Sequence, residues 1–245
     1  MLFFVLDRNV STLISLTSAD LVSVFNQIIG NGIFIKNDKN VARILEDRIK
    51  SKILDIKFDK QDYILSCEVA TLKMAFAYKG LKIEEDELFR KLPIDDKPPL
   101  FEDDGTIRWS DPNQVFVGNR NGKMFQDGYG VHWRPIAKLA RNYRDAGAFS
   151  DWTIEDIRAE IDDNNPVIIW GYYGPGETHK WYTWEGRRVD AVKFEHTFLV
   201  HGYETVDGQI KFINVIDPNR GKMKLGVDDF KLLWSFYNNS GVVIY

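Results

Sequence analysis

The chain of 245 residues contains a single cysteine, Cys67. One thiol cannot form an intramolecular disulfide, so the fold depends on a hydrophobic core, and cysteine usage gives no indication of compartment. With 44% hydrophobic residues, a chain of this length can bury such a core as one large domain, or as one domain with an extension. Cys67 is therefore either a small buried residue or a reactive one, and the rest of the sequence has to decide.

Long runs of basic or apolar residues are absent as well. Lysine and arginine are scattered, the formal net charge is −4 and the pI is about 5.6, so we expect no basic face for nucleic acid. No apolar stretch approaches the ~20 residues that span a bilayer, so we expect no integral membrane segment. The start of the chain is a poor signal peptide, because Asp7 and Arg8 interrupt a short apolar run. Cytoplasmic and extracytoplasmic locations both stay open.

Histidine is scarce, and its four positions are His132, His179, His196 and His201. Together with Cys67 they show none of the close ligand spacings that are typical of zinc sites. The sequence therefore predicts no metal and no other cofactor. Any chemistry has to come from side chains alone.

The sequence does contain a change of character near residue 55. Before it, the pattern predicts a helix over residues 18–29, a short strand over 32–36 and a second helix over 40–54. We therefore expect an N-terminal helical extension over residues 1–55, which either packs against the main domain or covers its cleft as a propeptide does. The main domain is expected over residues 56–245.

Within the main domain, helices are predicted first and strands mostly afterwards. A helix begins at Cys67 and stops at Gly80, with its apolar residues at helical spacing, and residues 92–130 form a long ordered loop. Further helices are predicted over 84–92, 134–143, 153–164 and 228–237, and strands over 166–173, 196–205, 210–218 and 241–245. This order is typical of an α+β fold with an antiparallel sheet.

Cys67 lies at the start of its predicted helix. The positive end of the helix dipole and the unpaired backbone amides there favour the thiolate, which is the reactive form. Gln61 lies in an extended approach to the same helix, and its side-chain amide can join the Cys67 backbone N–H in an oxyanion hole. Each residue also has an ordinary explanation, as a buried structural cysteine and as a surface glutamine in a loop.

A nucleophilic thiol needs an imidazole partner. His196 begins a predicted strand and is the best candidate, whereas His201 points to the opposite face and is expected to pack. Asp217 ends the next strand, and a hairpin turn at residues 207–208 brings it close to His196. A carboxylate there can orient the imidazole and stabilise the imidazolium. The alternative for Asp217 is an ordinary turn aspartate.

The segments QDYILSCEVATLKMAFAYKG, EHTFLVHGYE and VIDPNRGK, taken together, resemble the papain-like cysteine peptidases that process bacteriocin leaders. The resemblance is closer to the stand-alone bacterial proteins related to those peptidases, and it covers roughly residues 58–245. It implies a papain-like fold, in which a nucleophile helix packs on an antiparallel sheet. It also implies a peptide or protein substrate.

Carried over position by position, the resemblance implies a role for each of the four candidate residues. Cys67 would be the nucleophile and His196 the general base. Asp217 would orient the imidazole, and Gln61 would be the oxyanion donor. The transporter-linked peptidases have Asp-Cys-Gly at the nucleophile, where this chain has Ser-Cys-Glu, so cleavage of double-glycine leaders is not carried over.

Three functional hypotheses follow. The first is a cysteine hydrolase that cleaves peptide or amide bonds through these four residues. The second is a peptide- or glycan-binding module on the same fold, with a groove lined by the aromatic residues of 170–184, although core packing is the simpler explanation for them. The third is an acyl-transfer enzyme with the same triad, such as a transglutaminase-like or amide-ligating protein.

Overall fold

The computed structural model describes residues 48–245. The helix predicted over 18–29 and the strand predicted over 32–36 lie outside the described residues, as does most of the extension predicted over 1–55. The described residues form two compact units, one of residues 48–51 with 204–211 and the other of residues 52–203 with 212–245. The domain boundary at residue 55 stays a prediction.

In the described part of the first unit, residues 48–51 lie beside the tip of a β-hairpin. The Arg48 guanidinium forms an ion pair with the Asp207 carboxylate, and the Asp207 backbone N–H donates to the Arg48 carbonyl at 3.0 Å. Asp207 and Gly208 have φ values of 51° and 78°, the left-handed conformation that the tightest hairpin turns require. The predicted hairpin turn at 207–208 is confirmed.

The described residues form five helices and fourteen strands. The helices are α1 (Cys67–Tyr78), α2 (Glu85–Lys91), α3 (Trp133–Ala140), α4 (Ile154–Asp162) and α5 (Val227–Ser235). The strands are β1 (Ile49–Ile53), β2 (Ile94–Asp95), β3 (Leu100–Phe101), β4 (Ile107–Arg108), β5 (Phe116–Gly118), β6 (Gly128–Gly130), β7 (Ala146–Phe149), β8 (Val167–Tyr172), β9 (Thr178–Tyr182), β10 (Arg188–Val192), β11 (Glu195–Val206), β12 (Gln209–Asp217), β13 (Gly221–Gly226) and β14 (Gly241–Ile244). No helix among residues 48–245 has the length and apolar character that crossing a membrane requires.

The largest sheet has the strand order β13-β12-β11-β8-β14-β7, and β1 pairs with β11. Strand β8 pairs antiparallel with both β11 and β14. Strands β8 and β14 are almost wholly buried, which their valine and isoleucine runs favour because such residues fit a pleated, covered surface. The α+β prediction is confirmed, and the strands that the sequence predicts at the C-terminal side are the centre of this sheet.

The helix predicted over 40–54 is wrong at its C-terminal end, where β1 is a strand. Ile44, Leu45 and Ile49 have helical spacing, but the segment Ile49–Ile53 also alternates, and pairing with β11 decides the matter. The Leu54 backbone N–H, for example, donates to the His201 carbonyl at 2.7 Å. Tertiary pairing has overridden a local helical pattern.

Two smaller sheets, β10-β9-β4-β3 and β2-β5-β6, occupy the segment predicted as a long loop and the residues after β8. Their side chains enclose a small core of Trp109, Val117, Tyr129, Trp181, Val189 and Ala191. The loop is therefore ordered, as predicted, but it contains short strands. Strands β9 and β10 are not predicted, because glycines in the flanking turns conceal the alternation of residues 178–192.

Helix α1 is the central helix of the second unit. Val69, Leu72 and Phe76 are completely or almost completely buried, and so are the polar residues Glu68 and Thr71 on other faces. Ala77 is the exposed residue of the helix, so most of its surface is covered, as in a helix of a domain interior. Gly80 has a φ of 85°, so it supplies the left-handed residue that ends the helix, as predicted.

Candidate active site

His196 and Asp217 meet at one end of the hairpin formed by β11 and β12. His196 is 7% exposed and Asp217 is fully buried. The His196 Nε2–H donates to Asp217 Oδ1 at 2.9 Å, which leaves Nδ1 as the ring nitrogen with a lone pair. The structure therefore brings together the imidazole and the carboxylate that the sequence predicts.

The Asp217 carboxylate is held as an anion by its surroundings. Burial by itself raises the pKa of Asp217, but hydrogen bonds from His196 and Tyr173 and the charge of His196 outweigh burial and lower the pKa to about 2. The Asn219 backbone N–H donates to Oδ1 at 2.7 Å, so the turn after β12 also fixes the carboxylate. Asp217 is thus more than an ordinary turn aspartate.

Tyr173 and Arg220 complete this side of the site, and the sequence reasoning missed both. The Tyr173 hydroxyl donates to Asp217 Oδ2, and its ring centroid lies 5.3 Å from that of His196. Arg220 places its guanidinium 4.1 Å above the Tyr173 ring and its Nε 3.8 Å from Asp217 Oδ2. The position of Arg220, three residues after Asp217 in the same turn, is the signal by which it could have been found.

Cys67 begins α1, as predicted, but its thiol is buried and faces other groups than His196. Its Sγ lies 3.5 Å from Glu68 Oε2, and Thr197 also hydrogen-bonds to it. Among residues 48–245 the structure shows no hydrogen bond between this thiol and His196. The two residues nevertheless share a neighbour, because a charge on Cys67 would raise the pKa of the Tyr173 phenol, whose ring lies 5.3 Å from that of His196.

The thiol is not activated in this arrangement. Burial raises the pKa of Cys67 well above its ordinary value, and negative charge on the neighbouring Glu68–Glu195 pair raises it further, whereas hydrogen bonds from Thr197 lower it. We expected the helix start to favour the thiolate. Burial and two neighbouring carboxyl groups outweigh that effect here.

Gln61 lies in the approach to α1, and it is buried rather than a surface residue. Its backbone N–H donates to the Pro218 carbonyl at 3.0 Å, which ties it to the turn that holds Asp217. Its side-chain Nε2 donates to the carbonyls of Tyr63 at 2.6 Å and Ile64 at 2.9 Å. Both amide hydrogens are therefore engaged by the loop, and the role of oxyanion donor stays a prediction.

Glu68 and Glu195 form a second buried polar pair beside the thiol. One oxygen of each lies with Cys67 Sγ in a cluster whose atoms are all within 4.8 Å of one another. Burial raises the pKa of Glu68 to about 7 and that of Glu195 well above its ordinary value, and the charge of Glu68 raises the latter further. This is the one cluster within residues 48–245 with the atom types of a metal site, and acidic groups this close are common without an ion.

The other three histidines differ from His196 in their partners. The His201 Nδ1–H donates to the Leu54 carbonyl at 3.1 Å, and His201 is buried and packs, as predicted. His132 is buried, which lowers its pKa to about 4, and its Nδ1 lies 3.0 Å from Asn113 Oδ1. His179 lies on β9 and is partly exposed, with an exposed glutamate as its neighbour. Among the described imidazoles, His196 is the one paired with a buried carboxylate.

Two of the six aromatic residues of 170–184 serve as core, whereas Tyr172, Tyr173 and Tyr182 are half-buried. Trp170 and Trp181 are almost fully buried, and their indole N–H groups donate to the carbonyls of Val131 and Ser110, both at 2.9 Å. Trp184 is 40% exposed. The simpler explanation, core packing, holds for the two tryptophans that are most buried.

Comparison with protein families gives one match, the Peptidase C39-like family, over residues 53–242. That range includes Gln61, Cys67, His196 and Asp217 and both buried glutamates. No curated protein matches the chain. Among solved structures, a "putative C39-like peptidase" from Bacillus anthracis is similar, with 24% identity and a TM-score of 0.67 over 80% of this chain and 98% of that one.

Two further solved structures match with lower scores. One is a double glycine motif protease from an AMS/PCAT transporter in complex with the leader peptide, at 14% identity and a TM-score of 0.44, over 78% of this chain and 93% of that one. The other is the peptidase domain of Streptococcus ComA, at 13% identity and a TM-score of 0.44, over 78% and 96%. The match from Bacillus anthracis is the one that supports the predicted papain-like fold.

Proposed function

This chain belongs to the Peptidase C39-like family, and we propose that it is a cysteine peptidase in which Cys67 is the nucleophile and His196 the general base. The observation that carries the proposal is the buried hydrogen bond between His196 Nε2 and Asp217 Oδ1. This bond fixes the tautomer and the orientation of the imidazole. Thr197, the next residue of β11, hydrogen-bonds to the Cys67 thiol. The proposed substrate is a peptide or protein.

The reaction follows from the atoms available. His196 Nδ1 takes the proton of the Cys67 thiol while the sulfur bonds to the carbonyl carbon of the substrate. The imidazolium then gives that proton to the leaving amine as the C–N bond breaks. A water molecule, deprotonated by the same imidazole, then attacks the thioester. The C–S bond breaks, the carboxylic acid product is released, and the sulfur regains its proton from the imidazolium.

Asp217 has the role of stabilising the imidazolium that forms in each half of this reaction. Tyr173 and Arg220 are positioning residues, because they touch Asp217 and not the reacting atoms. Their contacts keep the carboxylate ionised in a buried place. A general base oriented in this way contributes roughly 10²–10⁴-fold to the rate.

The oxyanion hole is proposed to consist of the Cys67 backbone N–H and the Gln61 amide. For that role the amide has to exchange its bonds to the Tyr63 and Ile64 carbonyls for a bond to the substrate oxygen. Burial of Gln61 beside the turn of Asp217 supports this assignment, since the loop holds the amide near the helix start.

The proposal is tested with a peptide library and mass spectrometry of the products. We expect the wild-type protein to cleave a subset of the peptides, and Cys67→Ala and His196→Ala to cleave none. His179→Ala is the matched control, because His179 also has a carboxylate partner but lies partly exposed on β9, and it should cleave as the wild type does. Cleavage by Cys67→Ala, or an uncleaved library with the wild type, would overturn the proposal.

The same experiment separates the two alternatives. A binding module would retain peptides equally well in the wild type and Cys67→Ala, without products. An acyl-transfer enzyme would give new amides when a primary amine is added, in place of the hydrolysis products. We favour hydrolysis over the binding module because of the buried His196–Asp217 pair, which binding alone does not require.

A further inference from the structure

Glu68 and Glu195 are two buried carboxyl groups that the proposed reaction does not use. Glu68 is 1% exposed on α1, and Glu195 is 5% exposed at the start of β11. Within residues 48–245 neither forms an ion pair with a lysine or arginine. Two carboxylates so close together in an apolar interior cannot both remain charged.

Glu68 has the partners of an anion. Its Oε1 accepts the Val131 backbone N–H at 2.7 Å, and its Oε2 lies 3.5 Å from the Cys67 thiol, which can donate to it. Gly130 makes room for this carboxylate: a Cβ there would lie 2.3 Å from Glu68 Oε1, and the residue has a φ of 135°. The backbone around Gly130 is thus shaped to receive the Glu68 carboxylate.

Glu195 has the surroundings of a neutral acid. Its Oε1 is buried and has no hydrogen-bond partner, and a buried carboxylate without a donor is far less stable than the protonated group. The Tyr129 and Tyr237 hydroxyls, which lie 2.9 Å apart, are the other titratable groups that face the pair. Both are neutral at physiological pH, and they supply no positive charge. Glu85 on α2 is a further acidic group near Glu68, and its charge raises the pKa of Glu68.

We propose that Glu195 is held as a neutral carboxylic acid and that Glu68 carries the single negative charge of the pair and keeps the Cys67 thiol protonated in the resting protein. The pair is then a positioning device for the nucleophile. It directs the S–H bond towards Glu68 until substrate binding turns the thiol to His196. The protonation states stand on the geometry alone, and the effect on the nucleophile rests on the proposed function.

The first test counts protonated carboxyl groups by infrared spectroscopy. Glu85→Gln serves as the background, because Glu85 is the other buried glutamate of the described residues and has a pKa of about 7, raised by burial. At about pH 8.5, well above the ordinary range of glutamate, we expect a carboxylic-acid C=O band in this background. Glu195→Gln should remove the band, and Glu68→Gln should keep it. A spectrum without the band, or a band lost in Glu68→Gln and kept in Glu195→Gln, would overturn the proposal.

The second test follows alkylation of Cys67 by iodoacetamide against pH. We expect a wild-type midpoint above the ordinary thiol value of ~8.5. Glu68→Gln removes the charge beside the sulfur, so its midpoint should fall by about one unit, which makes the reaction near neutral pH about tenfold faster. Glu195→Gln replaces one neutral group by another and should leave the midpoint near that of the wild type, as should the control Glu85→Gln. Equal midpoints in Glu68→Gln and the wild type would contradict the assigned charge.

A failure of the proposed protonation states can be distinguished from a failure of the proposed function. If the protein does not cleave peptides, the infrared band and its loss in Glu195→Gln are still expected, because they depend on burial. If the band is absent while the peptide library is cleaved in a Cys67-dependent way, the peptidase proposal stands and the neutral Glu195 is wrong.

Discussion

His196 and Glu195 are neighbours on β11, and each belongs to a buried polar pair with a carboxyl group. Consecutive side chains of a strand point to opposite sides, so the two pairs are separate environments. His196 has Asp217, whose pKa is lowered to about 2, and Glu195 has Glu68, whose pKa is raised to about 7. Burial raises the pKa of both carboxyl groups, but the hydrogen bonds from an imidazole and a tyrosine outweigh burial at Asp217, whereas those from the Val131 N–H and the Cys67 thiol do not outweigh it at Glu68.

Under the proposed function, the difference also explains how Cys67 can stay protonated in the resting protein while His196 is oriented to accept its proton. Asp217 is fixed as an anion and aligns His196. The carboxyl pair instead opposes ionisation of Cys67. In a protein that cleaves peptides, such a resting state limits unspecific alkylation and oxidation of the thiol, because the thiolate is the reactive form.

The largest effect is expected when the charge is removed from the His196–Asp217 pair. Asp217→Asn should lower kcat/KM on a cleaved library peptide by roughly 10²–10⁴-fold, because an uncharged amide stabilises the imidazolium less than the carboxylate does. Asp207→Asn, at the exposed hairpin turn, is the control and should keep the wild-type value. An unchanged kcat/KM in Asp217→Asn would show that the His196–Asp217 bond has no catalytic role.

Gly130→Ala should disturb the Glu68–Glu195 pair by a steric clash. A Cβ at this position would lie 2.3 Å from Glu68 Oε1, and the φ of 135° disfavours any side chain. We expect the free energy of unfolding, measured by chemical denaturation, to fall by ~2–4 kcal/mol. Gly105→Ala has a similar positive φ of 83° but open space around its Cβ, so it should cost about 1–2 kcal/mol. Equal costs for the two variants would show that Glu68 does not depend on Gly130.

Tyr173→Phe is a smaller change, and it tests whether the Tyr173 hydroxyl lowers the pKa of Asp217. The pKa of Asp217 is lowered in the folded protein to about 2 from its ordinary 3.8, so its stabilising contribution is fully present above pH 3.8 and is lost as the pH falls towards 2. Without the Tyr173 hydroxyl, the folded-state pKa should rise towards 3.8, so Asp217 contributes less stability at neutral pH and less is lost on acidification. We expect the free energy of unfolding at neutral pH to fall by ~1 kcal/mol relative to the wild type, and this difference to shrink as the pH falls from 3.8 towards 2. Parallel stability curves for the two proteins would contradict this role of Tyr173.

The sequence predicts the helix of Cys67, the hairpin and the meeting of His196 with Asp217, because each depends on local signals and a short connection. It does not predict the Glu68–Glu195 pair, because the two residues come from distant segments and meet only when α1 packs on β11. The donor to Glu68, the Val131 N–H, comes from a third segment. The same limit applies to β1, where pairing with β11 overrides a helical pattern, and to Gln61, whose amide bonds depend on the loop around Tyr63.

The most direct measurement of the central claim is the mass of an acyl-enzyme. The wild-type protein is mixed with a cleaved library peptide, quenched in acid, digested with trypsin and mapped by mass spectrometry. We predict that the fragment of residues 61–73, which contains Cys67, carries the mass of the N-terminal part of the substrate. In His196→Ala the adduct can form only if Cys67 still attacks the substrate without a general base. The test is therefore read from the wild-type protein. Cleavage with this fragment never modified, and with Cys67→Ala still active, would contradict the claim that Cys67 is the nucleophile.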